Sequence, residues 1–202
     1  LDAQLAAGID AIVVCGTTGE GSTLSTTEQL TLIAHAIRYV SGRCKVIAGC
    51  GSNDTAHALE LSQTASAMGA DGLLLVTPYY NKCTQDGLLA HYLTIADAVD
   101  CPIIAYSVPG RTGVDISVET CVRLSAHPNM NGIKEAGGDT AKAARILNEC
   151  GGDFFLWSGN DDQISPLVAL GAKGVISVLS NVRPRETMSL THAALNGDQQ
   201  TA

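Results

Sequence analysis

Gly69-Ala70-Asp71-Gly72-Leu73-Leu74-Leu75-Val76 sets a pattern that the chain repeats. A glycine stops a helix, a short turn follows, and a continuous apolar run of strand length begins. Gly8-Ile9-Asp10-Ala11 leads into Ile12-Val13-Val14-Cys15 in the same way, and Gly171-Ala172-Lys173-Gly174 into Val175-Ile176-Ser177-Val178. The three joints lie 61 and 102 residues apart. That equals about two and four βα units of roughly 25–30 residues.

Working outward, the spacing predicts seven strands, at 11–15, 45–49, 73–76, 102–106, near 130–135, 154–157 and 174–178. Helices alternate with them: the tail of one at 2–7, then 25–40, 53–68, 85–99, 117–126, 140–150, 164–170 and one starting near Pro184. Ser25-Thr26-Thr27-Glu28 has capping-box spacing. Strict alternation without hairpin dipeptides predicts parallel βαβ units with right-handed crossovers in a single domain, 1–202. One further strand before Leu1 would make eight and close a (β/α)₈ barrel. An open doubly wound sheet is the competing α/β fold, but no G-x-G-x-x-G follows any strand.

The net charge of −8 argues against a nucleic-acid partner. Seven cysteines, an odd number with no C-x-x-C pair, read as reduced thiols of a cytoplasmic protein. The five histidines match no metal-ligand spacing. No apolar run is long enough for a membrane span, and without a charged n-region followed by an apolar h-region no signal peptide is expected. The chain opens at Leu1-Asp2 without an initiator methionine, as a fragment would.

In such barrels the chemistry gathers at the carboxyl ends of the strands. Met130-Asn131-Gly132-Ile133-Lys134-Glu135-Ala136 puts a lysine at one of them. Read alone, Lys134 could simply reach water past apolar neighbours. Desolvated, its amine would have a lowered pKa and could capture a carbonyl as a Schiff base. The other strand ends bring Gly16-Thr17-Thr18, Thr77-Pro78-Tyr79-Tyr80, Tyr106, Ser158-Gly159-Asn160 and Ser177. Imine formation needs a group that moves protons, and Tyr106, with Thr17 and Tyr80 as hydroxyl partners, fits that need. Arg111 offers a fork for a substrate carboxylate; a loop arginine in a surface ion pair is the alternative, but Pro109 and Gly113 around it suggest a fixed loop and favour the functional reading. Gly16 and Gly159 would admit a keto-acid carboxylate close to backbone N–H groups.

The motifs Gly16-Thr17-Thr18-Gly19-Glu20, Thr77-Pro78-Tyr79-Tyr80-Asn81, Tyr106-Ser107-Val108-Pro109-Gly110-Arg111-Thr112-Gly113, Gly132-Ile133-Lys134-Glu135-Ala136, Ser158-Gly159-Asn160-Asp161 and Gly174-Val175-Ile176-Ser177-Val178 carry a resemblance. In order and spacing the chain resembles the pyruvate-dependent class I aldolases, the dihydrodipicolinate synthase and N-acetylneuraminate lyase superfamily. Arg111 and the Glu-Ala after the lysine favour the synthase branch. The resemblance implies that pyruvate forms a Schiff base on Lys134 and that its enamine attacks aspartate 4-semialdehyde. The product would be the heterocyclic precursor of diaminopimelate and lysine. It implies a proton relay of Thr17, Tyr106 and Tyr80 from a neighbouring subunit. Thr18 would hold the pyruvyl carboxylate, with Ile176 as a backbone contact, and Arg111 would hold the semialdehyde carboxylate. It implies no metal or organic cofactor, and a homo-oligomer, a tight dimer or a tetramer. Asn53, Tyr79 and His57 fall in the family's lysine-feedback pocket. His57 stands where feedback-sensitive members often carry an acid, and Thr26 and Gln29 where some carry histidine, which argues against inhibition by lysine. Ser107 replaces the usual asparagine. The family's first strand and carboxyl-terminal helices have no counterpart in the sequence. Two other readings stay open: an aldolase or dehydratase for keto-deoxy sugars or sialic acid, and a truncated, inactive subunit.

Overall fold

The computed structural model describes residues 1–198 and 200. Six of the apolar runs form parallel strands in sequential order: β1 (Ala11–Val14), β2 (Lys45–Gly49), β3 (Gly72–Val76), β4 (Ile103–Ser107), β5 (Met130–Glu135) and β6 (Phe155–Ser158). Helices α1 (Asp2–Ala6), α2 (Thr26–Val40), α3 (Thr55–Ala67), α4 (Gln85–Ala96), α5 (Pro109–Thr112), α6 (Val118–Ser125), α7 (Thr140–Glu149), α8 (Ile164–Ala169) and α9 (Pro184–Leu195) complete the order. This is the arc of a (β/α) barrel, and no dinucleotide-type reversal of strand order occurs in it. The capping box at α2 forms as expected, with Glu28 N donating to Ser25 Oγ at 3.3 Å and Ser25 N to Glu28 Oε2 at 2.8 Å. No helix among the described residues is long and apolar enough to cross a membrane.

Two apolar layers follow from side-chain alternation. The outer layer joins strand residues such as Leu73, Leu75, Ile103, Ala105 and Ile133 to the helices. The inner one packs Leu74, Ile104, Tyr106 and Val108 against Ile47, Trp157 and Ile176.

The expected seventh strand at 174–178 is corrected. Only one parallel bridge forms, Ser158 with Val175. Ser158 N donates to Gly174 O and Ile176 N to Ser158 O, both at 2.9 Å. Beyond that, the Asp161 carboxylate accepts from Ser177 Oγ, Val178 N and Leu179 N. It draws the chain into a 3₁₀ turn at Leu179–Asn181. A side chain thus takes the N–H groups that a longer ladder would need. A second difference is α5, which turns the expected loop around Arg111 into one helical turn, with Pro109 at its start and Gly113 left-handed at its end.

One irregularity decides where Lys134 points. Along β4 and β5, Ile103 pairs with Met130 but Ile104 pairs with Gly132, so Asn131 is an extra residue. Met130 and Ile133 consequently both face the outer layer. Uninterrupted alternation from Met130 would send residue 134 outward too. The bulge reverses the parity and turns Lys134 inward beside Tyr106, its register partner. Gly132 makes the bulge possible: its φ is 158°, and a Cβ there would sit 2.1 Å from Phe155 O. Gly132→Ala is expected to lower stability by about 1–3 kcal/mol, the scale of overpacking and backbone strain. It should also turn the Lys134 amine out of its buried setting in whatever fraction stays folded. Thermal melts and the pH titration of that amine check this; a variant as stable as the parent, with the amine titrating unchanged, refutes the role of the bulge.

Candidate active site

Tyr106 and Lys134 sit side by side on the inner face because β4 and β5 are in register after the bulge. Both are buried, at 6% and 8% exposure. The Lys134 Nζ lies 4.2 Å from the centroid of the Tyr106 ring. Burial pushes the Lys134 pKa down to about 8, the nearby Asp161 carboxylate works against the fall, and the Arg111 guanidinium adds to it. Burial also raises the Tyr106 phenol, opposed by the Arg111 charge and by a hydrogen bond with Thr17. The phenol is therefore held protonated, beside an amine that loses its proton readily.

Glycine at 159 is required by this crowding. A Cβ there would stand 2.6 Å from the Ala136 Cβ and 3.2 Å from the Lys134 Cε. Its N–H donates to Glu135 O at 2.7 Å. It borders the lysine stem, and that N–H is already used within the sheet. Ile176 packs into the inner layer near Tyr106, and its N–H is taken by Ser158. The carbonyl is its remaining backbone group. Thr17 and Thr18 are exposed on the loop after β1.

A cavity of about 380 Å³ opens beside these groups, with Thr17, Tyr106 and Arg111 on its wall. Tyr79, His57 and Gln29 line the same cavity farther along. Two of the three residues assigned to a feedback pocket therefore share a space with the inner-face phenol. The third, Asn53, uses its carbonyl to accept from Asn81 Nδ2 at 3.3 Å. Gln29 is buried: its side-chain Nε2 donates to Gly49 O at 2.8 Å, and its main-chain carbonyl accepts from the Cys15 thiol at 3.8 Å. Thr26 opens α2 and is exposed.

Tyr80 stands apart from the other hydroxyls. It is 87% exposed with a left-handed φ of 74°, and its N–H donates to Thr112 O at 3.2 Å. The structure brings Thr17, Tyr106, Lys134 and Arg111 together, and it leaves Tyr80 projecting from the surface.

The sequence reading gave no role to Asp161. It anchors the 177–179 turn and its charge reaches the Lys134 amine. A carboxylate ending the Ser158-Gly159-Asn160-Asp161 motif was the available signal. Glu135, which is buried, was noted in the sequence only as the residue after the lysine, and its ion-pair cluster with half-buried Lys142 and exposed Asp115 was not.

Known proteins match this arrangement along the whole chain. The model of the dihydrodipicolinate synthetase family matches residues 1–202. The 4-hydroxy-tetrahydrodipicolinate synthase of Exiguobacterium sibiricum is 54% identical over 202 residues, covering 100% of this chain and 69% of that protein. Among solved structures, dihydrodipicolinate synthase from Aquifex aeolicus superposes with a TM-score of 0.98 at 46% identity, covering 100% of this chain and 69% of that one. The Acinetobacter baumannii synthase, described as chloride inhibited and complexed with pyruvate, gives 0.97 at 45% identity with the same coverage. With a buried amine and a phenol meeting on the inner face of a parallel arc, and with relatives alike from end to end, the chain belongs to the dihydrodipicolinate synthetase family.

Proposed function

We propose that this chain condenses pyruvate with aspartate 4-semialdehyde through a Schiff base on Lys134, giving 4-hydroxy-tetrahydrodipicolinate in the diaminopimelate and lysine pathway. The observation that carries this is the buried amine of Lys134, 4.2 Å from the Tyr106 ring. The neutral amine attacks the pyruvate ketone to form a carbinolamine. Proton transfer to the departing hydroxyl releases water and leaves the imine. Loss of a methyl proton gives the enamine, whose carbon attacks the aldehyde carbon. The amino group of the semialdehyde then attacks the imine carbon, closing the ring and releasing Lys134. The imine supplies the electron sink, so the reading needs no metal or organic cofactor.

Tyr106 carries the protons in this reading, with Thr17 as its relay and Tyr80 from a second copy of the chain completing it. The exposure of Tyr80 on a fixed left-handed turn supports a role across an interface. A tight dimer or tetramer follows, measurable by light scattering. Thr18 donates to the pyruvyl carboxylate, and Ile176 and Gly159 border the bound pyruvate as backbone contacts. His57 and Tyr79 border a pocket whose described lining holds no acid for a lysine ammonium, and Asn53 lies outside that lining, so feedback by lysine is weak or absent. The protein works as a single domain in the cytoplasm.

Borohydride reduction with pyruvate should leave a stable adduct on Lys134, and a coupled assay should prefer aspartate semialdehyde to sugar-derived aldehydes. A folded sample that traps no pyruvate would point to an inert subunit, and preference for a sugar aldehyde to a different aldolase. Arg111 supplies the sharper check. It sits at the mouth on α5, and a charge-assisted carboxylate contact is worth roughly 1.5–3 kcal/mol. Arg111→Ala should therefore keep pyruvate trapping while kcat/KM for the semialdehyde falls about 10- to 100-fold. Loss of trapping in that variant contradicts the assignment.

A further inference from the structure

The chemistry above leaves unused a charged cluster on the other side of the same two strands, with Glu135 and Ser107 buried, Lys142 half-buried and Asp115 at the surface. Beyond the Tyr106 and Lys134 pair, the next register partners are Ser107 and Glu135. Alternation sends this second pair away from the inner face and toward the helices. Glu135 is 2% exposed. Its Oε2 accepts from Lys142 Nζ at 2.9 Å and its Oε1 from Gly137 N at 2.5 Å. Lys142, on α7, also donates to Asp115 Oδ1. That oxygen accepts the Ser107 hydroxyl at 2.7 Å. The Ser107 oxygen in turn accepts from Ile116 N at 3.3 Å.

The path Glu135, Lys142, Asp115, Ser107 therefore runs from the end of β5 back to the end of β4. Backbone bonds reinforce it, with Ala136 N donating to Ser107 O at 2.9 Å. Buried ion pairs add little net stability because desolvation offsets their attraction. They do hold geometry, since each partner has one satisfied arrangement. Misplacement by ~1 Å can slow a reaction about 100-fold.

We propose that Glu135, Lys142, Asp115 and Ser107 are positioning residues that fix the Lys134 amine relative to the Tyr106 phenol. This rests on the roles given above to those two side chains. None of the four touches substrate in this account; they act by locking two strand ends from behind.

The test compares the whole purified chain with Lys142→Met, Lys142→Arg and Ser107→Ala. Three quantities are read: borohydride-trapped pyruvate, deuterium entry from D₂O into the pyruvate methyl group by NMR, and kcat and KM in the coupled assay. Methyl exchange reports enamine formation, the step that needs amine and phenol together. Lys142→Met should still trap pyruvate but exchange and turn over about tenfold more slowly or worse, with KM for pyruvate within about twofold of the parent. Lys142→Arg, which keeps the charge and donors, should recover most of the loss. Ser107→Ala removes one hydroxyl and leaves the charges, so exchange should fall a few-fold at an unchanged melting temperature. If Lys142→Met fails to fold, Ser107→Ala decides alone. Parental exchange in a folded Lys142→Met or in Ser107→Ala overturns the positioning role. Failure of the parent itself to trap pyruvate overturns the functional reading instead, and the two failures are told apart by that one control.

Discussion

Lys134→Met is expected to abolish pyruvate capture, to cut turnover by about 10⁴-fold or more, the scale of losing a nucleophile, and to stabilise the fold. The last part follows from the burial of the amine. Its pKa is about 8 in the folded chain against 10.5 for a solvated lysine. Below pH 8 the folded state must hold an ammonium that burial disfavours, and the unfolded chain does not bear that cost. The difference corresponds to about 3 kcal/mol at neutral pH. It vanishes as pH rises from about 8 to 10.5, so parental stability should climb across that window and the methionine variant's should not. The same shift sets the rate. At pH 7.5 roughly a quarter of the Lys134 amine is neutral, against about one part in a thousand for an ordinary lysine. Trapping should rise with pH to a midpoint near 8 and then level off. Asp161→Asn, which removes a charge that favours the ammonium, should move that midpoint lower. Melting curves and the pH profile of adduct formation check both parts. A methionine variant less stable than the parent, or a trapping rate still climbing past pH 10, would show the amine to be solvated.

How much of this was legible in the sequence depends on which bonds carried the information. The strand and helix order was legible because parallel strands buried on both faces read as unbroken apolar runs between capped helices. The helix ends at Ser25, Thr84 and Ser117 are capped by their own side chains. The convergence of Thr17, Tyr106, Lys134 and Arg111 was legible because such a fold leaves only one end of the sheet for them to share. The facing of Lys134 was not. It depends on Asn131 being an extra residue in the ladder, and alternation read from Met130 gives the opposite answer. The shortened seventh strand was hidden for a similar reason: Asp161, sixteen to eighteen residues before the groups it binds, competes for their N–H donors. Lys142 was invisible because helix periodicity says which face it occupies, not that two carboxylates from other segments wait there. Each miss is a tertiary bond overriding a local rule.

Tyr106→Phe carries the second large effect, and it separates chemistry from architecture. The ring is in the inner layer against Leu74, Ile104 and Val108, and phenylalanine preserves that packing. Only the hydroxyl goes, with its Thr17 bond, a loss of about 0.5–1.5 kcal/mol in stability. Positioned proton transfer is worth about 10²–10⁴ in rate, so kcat should fall by about that factor while KM for pyruvate barely moves. Burial keeps the phenol above its ordinary pKa, so the hydroxyl serves as a donor and relay and not as a standing phenolate. Thr17→Val leaves that donor in place and removes one of its partners, so its loss should be smaller, about tenfold, in line with a single hydrogen bond. The ordering matters more than either value. If the valine variant proved slower than the phenylalanine one, protons would be moving through Thr17 by a route that bypasses the ring. A phenylalanine variant at parental speed would leave the amine without any acid on the inner face and would remove Tyr106 from the reaction.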